Sequence, residues 1–310
     1  MTPAGGTATL TRSLDEKRRD VLQALRAALP GGAGRLGVAF SGGVDSTLLL
    51  ALACEALGAD RVVAVTARSD SLAGAELEAC RRIAAHLGVR LVLLVTRELE
   101  REGYRRNGPD RCYHCKAELF ERLEGEVLAR EDLAAVAYGA TAEDVGDHRP
   151  GMAAARERGV LAPLLEAGLT KAEIRRLSGE LGLETQDKPA QPCLASRIPY
   201  GQPVTAEKLR RIEAAEALIR GLGFIELRVR HHGDDEEPTA RLEVPLEQVA
   251  ALAAPGTREA VVRGLRSLGF RYVVLDLEGF RSGRLNEALR RLPSAAGGAG
   301  SLDEVGEGEG

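Results

Sequence analysis

Between Leu36 and Ser46 the chain reads LGVAFSGGVDS, an apolar run that passes through two adjacent glycines into an apolar helical stretch. That succession commits this part of the chain to a strand, a tight turn and a helix, the repeating unit of an α/β sheet. It also makes an anion cradle, because the glycines let backbone approach a ligand and the new helix offers unpaired N–H groups at its positive end. Ser41 and Ser46 add hydroxyl donors. Asp45 would repel a bare phosphate, so its presence makes sense with Mg²⁺ between it and a nucleotide. No lysine follows the glycines, so the G-x-x-x-x-G-K-[ST] loop is absent, as is the dinucleotide G-x-G-x-x-G. The plain alternative is a serine capping a core helix.

The pattern repeats downstream. Strand 36–40 leads to helix 44–57, strand 62–65 to helix 73–87, and strand 91–95, through a polar segment and helix 116–129, to strand 134–138. Such alternation implies right-handed crossovers and a parallel sheet covered on both faces, with ligands beyond the carboxyl ends of the strands. Ala39, Phe40, Ser41, Gly42, Gly43, Asp45, Ser46, Thr66, Arg68 and Gly139 fall at those ends and are the candidate nucleotide contacts.

Leu14 to Leu29 has helical spacing and stops at Pro30-Gly31-Gly32. Later, KPAQPCLASRIPYG at 188–201 holds three prolines and a closing glycine, which exclude a regular helix or central strand. The domain junction is expected there, as a loop at 191–203 between an α/β domain at 14–190 and an α+β unit at 204–292. In that unit Thr205 caps a helix reaching about Leu222, and strands are expected at 224–230, 239–244 and 272–277. Residues 1–13 and 293–310, poor in apolar content, are expected to be disordered.

Composition narrows the function classes. A chain of 310 residues with net charge −4 carries no broad basic footprint for nucleic acid. No apolar run approaches a membrane span and the N-terminus lacks a signal-peptide core, so the expected location is the cytoplasm. Five cysteines, an odd number, suit a reducing compartment.

Cys112 and Cys115 form a C-x-x-C, which alone could be half a zinc site, a redox pair or two small core residues. What decides between these is whether Cys193, in the proline-rich loop, returns to them. If it does, three thiolates can hold an iron-sulfur cluster and leave one iron without a protein ligand, whereas zinc needs a fourth partner. Cys54 and Cys80 lie in helical patterns and read as core. Arg228 and Arg230, two apart on a predicted strand, share a face and make either a phosphate fork or a solvated surface. Asp144 and Asp147 either join the magnesium site or cap turns. Lys116 is equally open to a phosphate or to solvent, and His231 and His232, beside the acidic run 234–237, read as a solvated hairpin.

SGGxDS is the signature of the PP-loop ATP pyrophosphatases. With RCYHCK, ATAEDVGDHRPG, DKPAQPCLASRIPYG and LDLEGFRSGRLN, the chain from about Leu14 to Leu292 closely resembles the LarE sulfur transferases, which build the nickel-pincer nucleotide cofactor. The resemblance implies that ATP adenylates a carboxylate of pyridinium-3,5-biscarboxylic acid mononucleotide and that sulfur then displaces AMP. It implies ATP, Mg and a 4Fe-4S cluster on Cys112, Cys115 and Cys193, a separate sulfide donor, and a homo-oligomer. Family positions near substrate or metal match Arg197, Glu216 and Arg281, beside Arg228 and Arg230. Some members instead sacrifice the loop cysteine, here Cys193. The nearest rival, a cluster-bearing tRNA thiolation enzyme, is disfavoured by the acidic balance.

Overall fold

The computed structural model describes residues 12–29, 31, 33–146, 150–234 and 236–281. Apart from Arg12 and Ser13, the ends expected to be disordered lie outside these. The elements run α1 (Leu14–Ala27), β1 (Arg35–Ala39), α2 (Val44–Leu57), β2 (Val62–Arg68), α3 (Gly74–His86), β3 (Arg90–Val95), α4 (Glu102–Arg105), α5 (Arg111–Arg122), β4 (Leu133–Tyr138), α6 (Pro150–Glu157), α7 (Pro163–Glu166) and α8 (Lys171–Glu180). They continue with α9 (Ala206–Gly221), β5 (Arg228–His232), β6 (Thr239–Glu243), α10 (Val249–Ala253), α11 (Pro255–Ser267) and β7 (Tyr272–Leu275). Among the described residues no helix is long and apolar enough to cross a membrane.

The first four strands form a parallel sheet in the order β3-β2-β1-β4, with Val38 opposite Ala64 and Ala137. Side chains alternate between its faces, as strand geometry requires. Leu36, Val38, Val62 and Ala64 pack with Val21 and Leu25 of α1, Leu49 of α2 and Ile174 of α8, while Ala39, Val63 and Val65 pack with Leu119 and Phe120 of α5. This is the doubly covered α/β fold that the alternation predicted, and all four strands deliver their carboxyl ends to one edge.

A second, three-stranded sheet runs β5-β6-β7, with β5 antiparallel and β7 parallel to β6. Ala215 and Ile219 of α9, Val229, Leu242, Val261 and Leu265 fill its core. A further cluster joins Tyr104, Leu194, Ala195, Ile198, Leu209 and Ile212, with Cys115 against it. It seats the proline-rich loop on α4, α5 and α9.

Three expectations shift. The helix predicted at 116–129 begins at Arg111 and loosens into a π-turn over Leu123–Val127, so the C-x-x-C lies on helix rather than in a loop. The strand predicted at 224–230 is Arg228–His232, since Phe224 and Leu227 turn into the core before the ladder starts. His231 is fully buried, with its ring against Phe270 and its Nε2 3.3 Å from Arg211 Nη1, which corrects the solvated-hairpin reading: burial under the second sheet's helices decides its surroundings, whatever charges follow it in sequence.

Candidate active site

At the carboxyl end of β1, Gly42 has φ +68°, and a Cβ there would lie 2.9 Å from Cys80 Sγ, so only glycine fits. Gly43 caps α2 with no side-chain bond to the helix, leaving its first amides to a ligand. Ser46 Oγ donates to Gly43 O at 3.2 Å and accepts the Ser41 N–H at 3.3 Å, which holds the turn open. Gly139, ending beside this turn, would put a Cβ 2.9 Å from both the carbonyl carbon of Asp45 and the amide of Ser46. Thr66 Oγ1 donates to Phe40 O at 2.8 Å and so ties the ends of β1 and β2, while Arg68 stays exposed at its strand end.

Two lysines not anticipated from sequence meet this cradle. Lys171, the first residue of α8, puts Nζ 2.5 Å from Asp45 Oδ2, and the other carboxylate oxygen, Oδ1, is buried with no hydrogen-bond partner among the described residues. Lys188 donates to Gly42 O at 2.9 Å and to Glu76 at 2.7 Å. A loop that lacks its own lysine thus receives positive charge from distant chain. The capping box of Thr170 and Glu173 places Lys171 at a helix start, but no motif ties that helix to the nucleotide edge. Asp144 Oδ2 accepts the Thr141 N–H at 2.8 Å and its hydroxyl at 3.1 Å, a turn cap; Asp147 lies outside the described residues.

All five cysteines are free. Cys112 and Cys115 stand on the first turn of α5, and Cys193 immediately precedes the short turn Leu194–Arg197. That turn is pinned by Leu194 N–H to Ser71 O at 2.9 Å and by Arg111 Nη1 to Ala195 O at 2.9 Å. Burial, then the charge of Cys193, pushes the Cys112 thiol up; burial, then Glu98, pushes Cys115 up, with Cys193 and Cys112 adding to it. Among the described residues no group of three His, Cys, Asp or Glu side chains is arranged to hold a metal ion. His114 turns to Asp110 Oδ2 at 3.1 Å, and Lys116 lies against Gly151 of α6.

Arg197 and Glu216 do meet, but as a buried ion pair. Glu216 also accepts from Arg220 and from the Val229 N–H, and Arg197 Nη1 reaches Pro192 O, Cys193 O and Ser196 Oγ. Their polar atoms are thereby engaged in holding the Cys193 loop.

Arg228 and Arg230 flank the same loop, through Ala190 O at 2.9 Å and Ser196 O at 3.0 Å. Arg230 is also paired with buried Glu243. Arg228 is different: 3% exposed and stacked 4.9 Å from the Phe280 ring centre, it gives its hydrogen bonds to the backbone carbonyls of Leu227 and Ala190, with no carboxylate in ion-pair contact among the described residues. Burial, then the charge of Arg197, lowers its pKa to about 10. Arg281 sits exposed and paired with Glu278 at 3.0 Å.

A parallel sheet whose first strand ends in a lysine-free SGGxDS cradle, with charge supplied from elsewhere, defines a PP-loop α/β nucleotide-using enzyme. The asparagine synthase family model matches residues 18–107, from α1 to the turn before α5. Over 261 residues the chain is 40% identical to the pyridinium-3,5-bisthiocarboxylic acid mononucleotide synthase of Lactiplantibacillus plantarum, covering 84% of this chain and 92% of that protein. It is 43% identical over 254 residues to the uncharacterized protein slr1717 of Synechocystis, covering 82% and 92%, and 27% identical over 177 residues to an uncharacterized Methanocaldococcus jannaschii protein, covering 57% and 66%. The chain belongs to the LarE family of PP-loop sulfur transferases, and it is an ATP-dependent enzyme.

Proposed function

We propose that this chain adenylates the carboxylates of pyridinium-3,5-biscarboxylic acid mononucleotide and converts them to thiocarboxylates with sulfur handled at Cys112, Cys115 and Cys193. Activation is unavoidable, because a carboxylate is a poor electrophile and oxide cannot leave. A carboxylate oxygen attacks the α-phosphorus of ATP and pyrophosphate departs; sulfur then attacks the acyl carbon and AMP departs. The amides of α2, Ser41, Ser46 and Lys171 stabilise the departing charge, and the unpartnered Asp45 Oδ1 suits a magnesium ion. We assign ATP chemistry to residues 14–190, the sulfur loop to 191–203 and the mononucleotide to 204–292, where buried Arg228 awaits an anion.

One observation carries the reading of the sulfur source: the loop that bears Cys193 is pinned to the helix that bears Cys112 and Cys115, through Arg111 Nη1 on Ala195 O and the packing of Cys115 against the Leu194, Ala195 and Ile198 cluster. Three thiols with Arg111 beside them, a buried cation with no carboxylate in ion-pair contact among the described residues, suit an anionic iron-sulfur group. Cys112, Cys115 and Cys193 are the residues that would hold a 4Fe-4S cluster, and such a group would supply the transferable sulfide. The exposure of Cys193 favours a second reading, sacrificial donation of its own sulfur. Anaerobic purification with iron and sulfide analysis, for wild type and Cys112→Ala, separates the two. Iron in the wild type, and loss of iron and of repeated thiocarboxylate formation in the variant, support the cluster. Unchanged single turnover with loss of hydrogen sulfide mass from Cys193 overturns it.

A further inference from the structure

We propose that Asn107 is the positioning residue that sets Cys193 against Cys112 and Cys115. Asn107 lies in the turn between α4 and α5, is 0% exposed and holds φ +57°, a left-handed conformation that asparagine tolerates better than other side chains. Its Nδ2 faces three carbonyls of the sulfur loop, Ile198 O at 3.2 Å, Pro199 O at 2.8 Å and Gln202 O at 2.9 Å. The Oδ1 accepts from Arg111 Nη1 at 2.6 Å, and the same nitrogen reaches Ala195 O. Even its backbone takes part, accepting the Gly201 N–H at 3.0 Å. A closed set of hydrogen bonds thus joins the residue that opens α5 to the loop from Ala195 to Gln202.

Apolar packing of Leu194 and Ile198 with Tyr104 of α4 and Leu209 and Ile212 of α9, with Cys115 of α5 against them, already seats this loop. Packing is tolerant of small shifts, whereas a buried amide facing fixed carbonyls is not, because any slip leaves a polar group unpaired out of water. Asn107 therefore selects one register of the loop. The register decides where Cys193 stands, since Arg111 immediately precedes Cys112 and Ala195 follows Cys193 by two.

This role rests on the three cysteines forming one sulfur-handling group, as proposed above. It can be tested without metal, by cross-linking the reduced apo-protein with dibromobimane, which bridges two neighbouring thiols, and mapping the product to peptides. Wild type is expected to bridge Cys193 to Cys112 or Cys115. Asn107→Asp keeps the shape, the left-handed backbone and the Arg111 contact but presents oxygen to the loop carbonyls, and it is expected to slow that bridge on the order of tenfold or more. Asn107→Gly, which keeps only the backbone freedom, should do the same, while fluorescent ATP-analogue binding, remote from the turn, stays as in wild type. No bridge in wild type, or wild-type bridging in Asn107→Asp, overturns the proposal. So does loss of ATP binding in both variants, which would make Asn107 a requirement of the fold. A bridge that depends on Asn107 in a protein that never takes up iron would sink the cluster reading and leave this one standing.

Discussion

Arg197 donates Nε and Nη2 to the two carboxylate oxygens of Glu216, at 2.8 and 3.2 Å, with the side chains 2% and 1% exposed. The pair sits where loop, α9 and β5 meet, so neither charge can rehydrate if the other is removed. Glu216→Gln should cost about 3–5 kcal/mol, most of it from the stranded guanidinium. The double change Arg197→Met with Glu216→Leu should recover much of that. Urea unfolding of both decides it; a single change costing under about 1 kcal/mol would show that water reaches the pair.

The same pair sets an acid limit. Burial alone would raise the Glu216 carboxyl, but Arg197, then Arg220 and the Val229 N–H, outweigh it and hold it below its ordinary 4.5. A carboxyl depressed on folding contributes stability above its unfolded value and loses it as pH falls through the folded one. The stability gap between wild type and Glu216→Gln is therefore full at neutral pH and narrows as the solution is taken below 4.5. Unfolding midpoints across acid pH measure it, and a gap that widens in acid would contradict the assignment.

How much of this was legible beforehand follows from range. The sheet and cradle could be read because strand, turn and helix chemistry are local: Gly42, Gly43 and Ser46 announce themselves within six residues. Period-two spacing put Arg228 and Arg230 on one face of their strand, which the ladder of β5 bears out, but did not say what that face meets. Lys171, Lys188, Asn107 and Arg111 could not be read, because each acts on chain far from it in sequence and none sits in a local pattern that names its target. Arg197 and Glu216 could be located only by family likeness, and their engagement with one another depends on how α9 packs under the loop. His231 was misread since neighbouring acids suggest solvent while burial is decided by β6 and α11.

Gly139 lies against the first turn of α2 at a distance set by backbone on both sides. In Gly139→Ala the new carbon would fall 2.9 Å from main-chain atoms of Asp45 and Ser46, which cannot rotate away. Overpacking of this kind costs about 1–3 kcal/mol, and here it would be relieved by tilting the helix start to which the proposed function assigns the phosphates. Calorimetric titration should show ATP·Mg²⁺ bound about tenfold more weakly. Unchanged affinity would mean that the cradle lies elsewhere.

Asp45 engages one oxygen with Lys171, and among the described residues the other has no hydrogen-bond partner. If that second oxygen faces magnesium, Asp45→Asn should reduce pyrophosphate release on the order of a hundredfold and flatten its dependence on Mg²⁺ concentration. Lys171→Met should instead weaken ATP binding while the Mg²⁺ response persists. Initial rates across a magnesium series distinguish these; equal magnesium curves for wild type and Asp45→Asn would remove Asp45 from the metal site.

Among the described residues Arg228 is a buried cation that stacks on Phe280 and donates hydrogen bonds to backbone carbonyls with no carboxylate in ion-pair contact, and its lowered pKa, to about 10, reflects burial and then the neighbouring Arg197. Such a charge opposes folding until an anion arrives. Arg228→Met, similar in length and able to pack on Phe280, should therefore leave the melting temperature of the ligand-free protein equal or higher. Mononucleotide binding should meanwhile fall by about 10- to 100-fold, the scale of a charge-assisted phosphate contact. Thermal melts with and without the pyridinium mononucleotide test both halves: in wild type the ligand raises the melting temperature, and in the variant it should not. A ligand-free variant that melts well below wild type would show instead that Arg228 serves the fold through Ala190 and Leu227, and the phosphate would have to be sought at another cation.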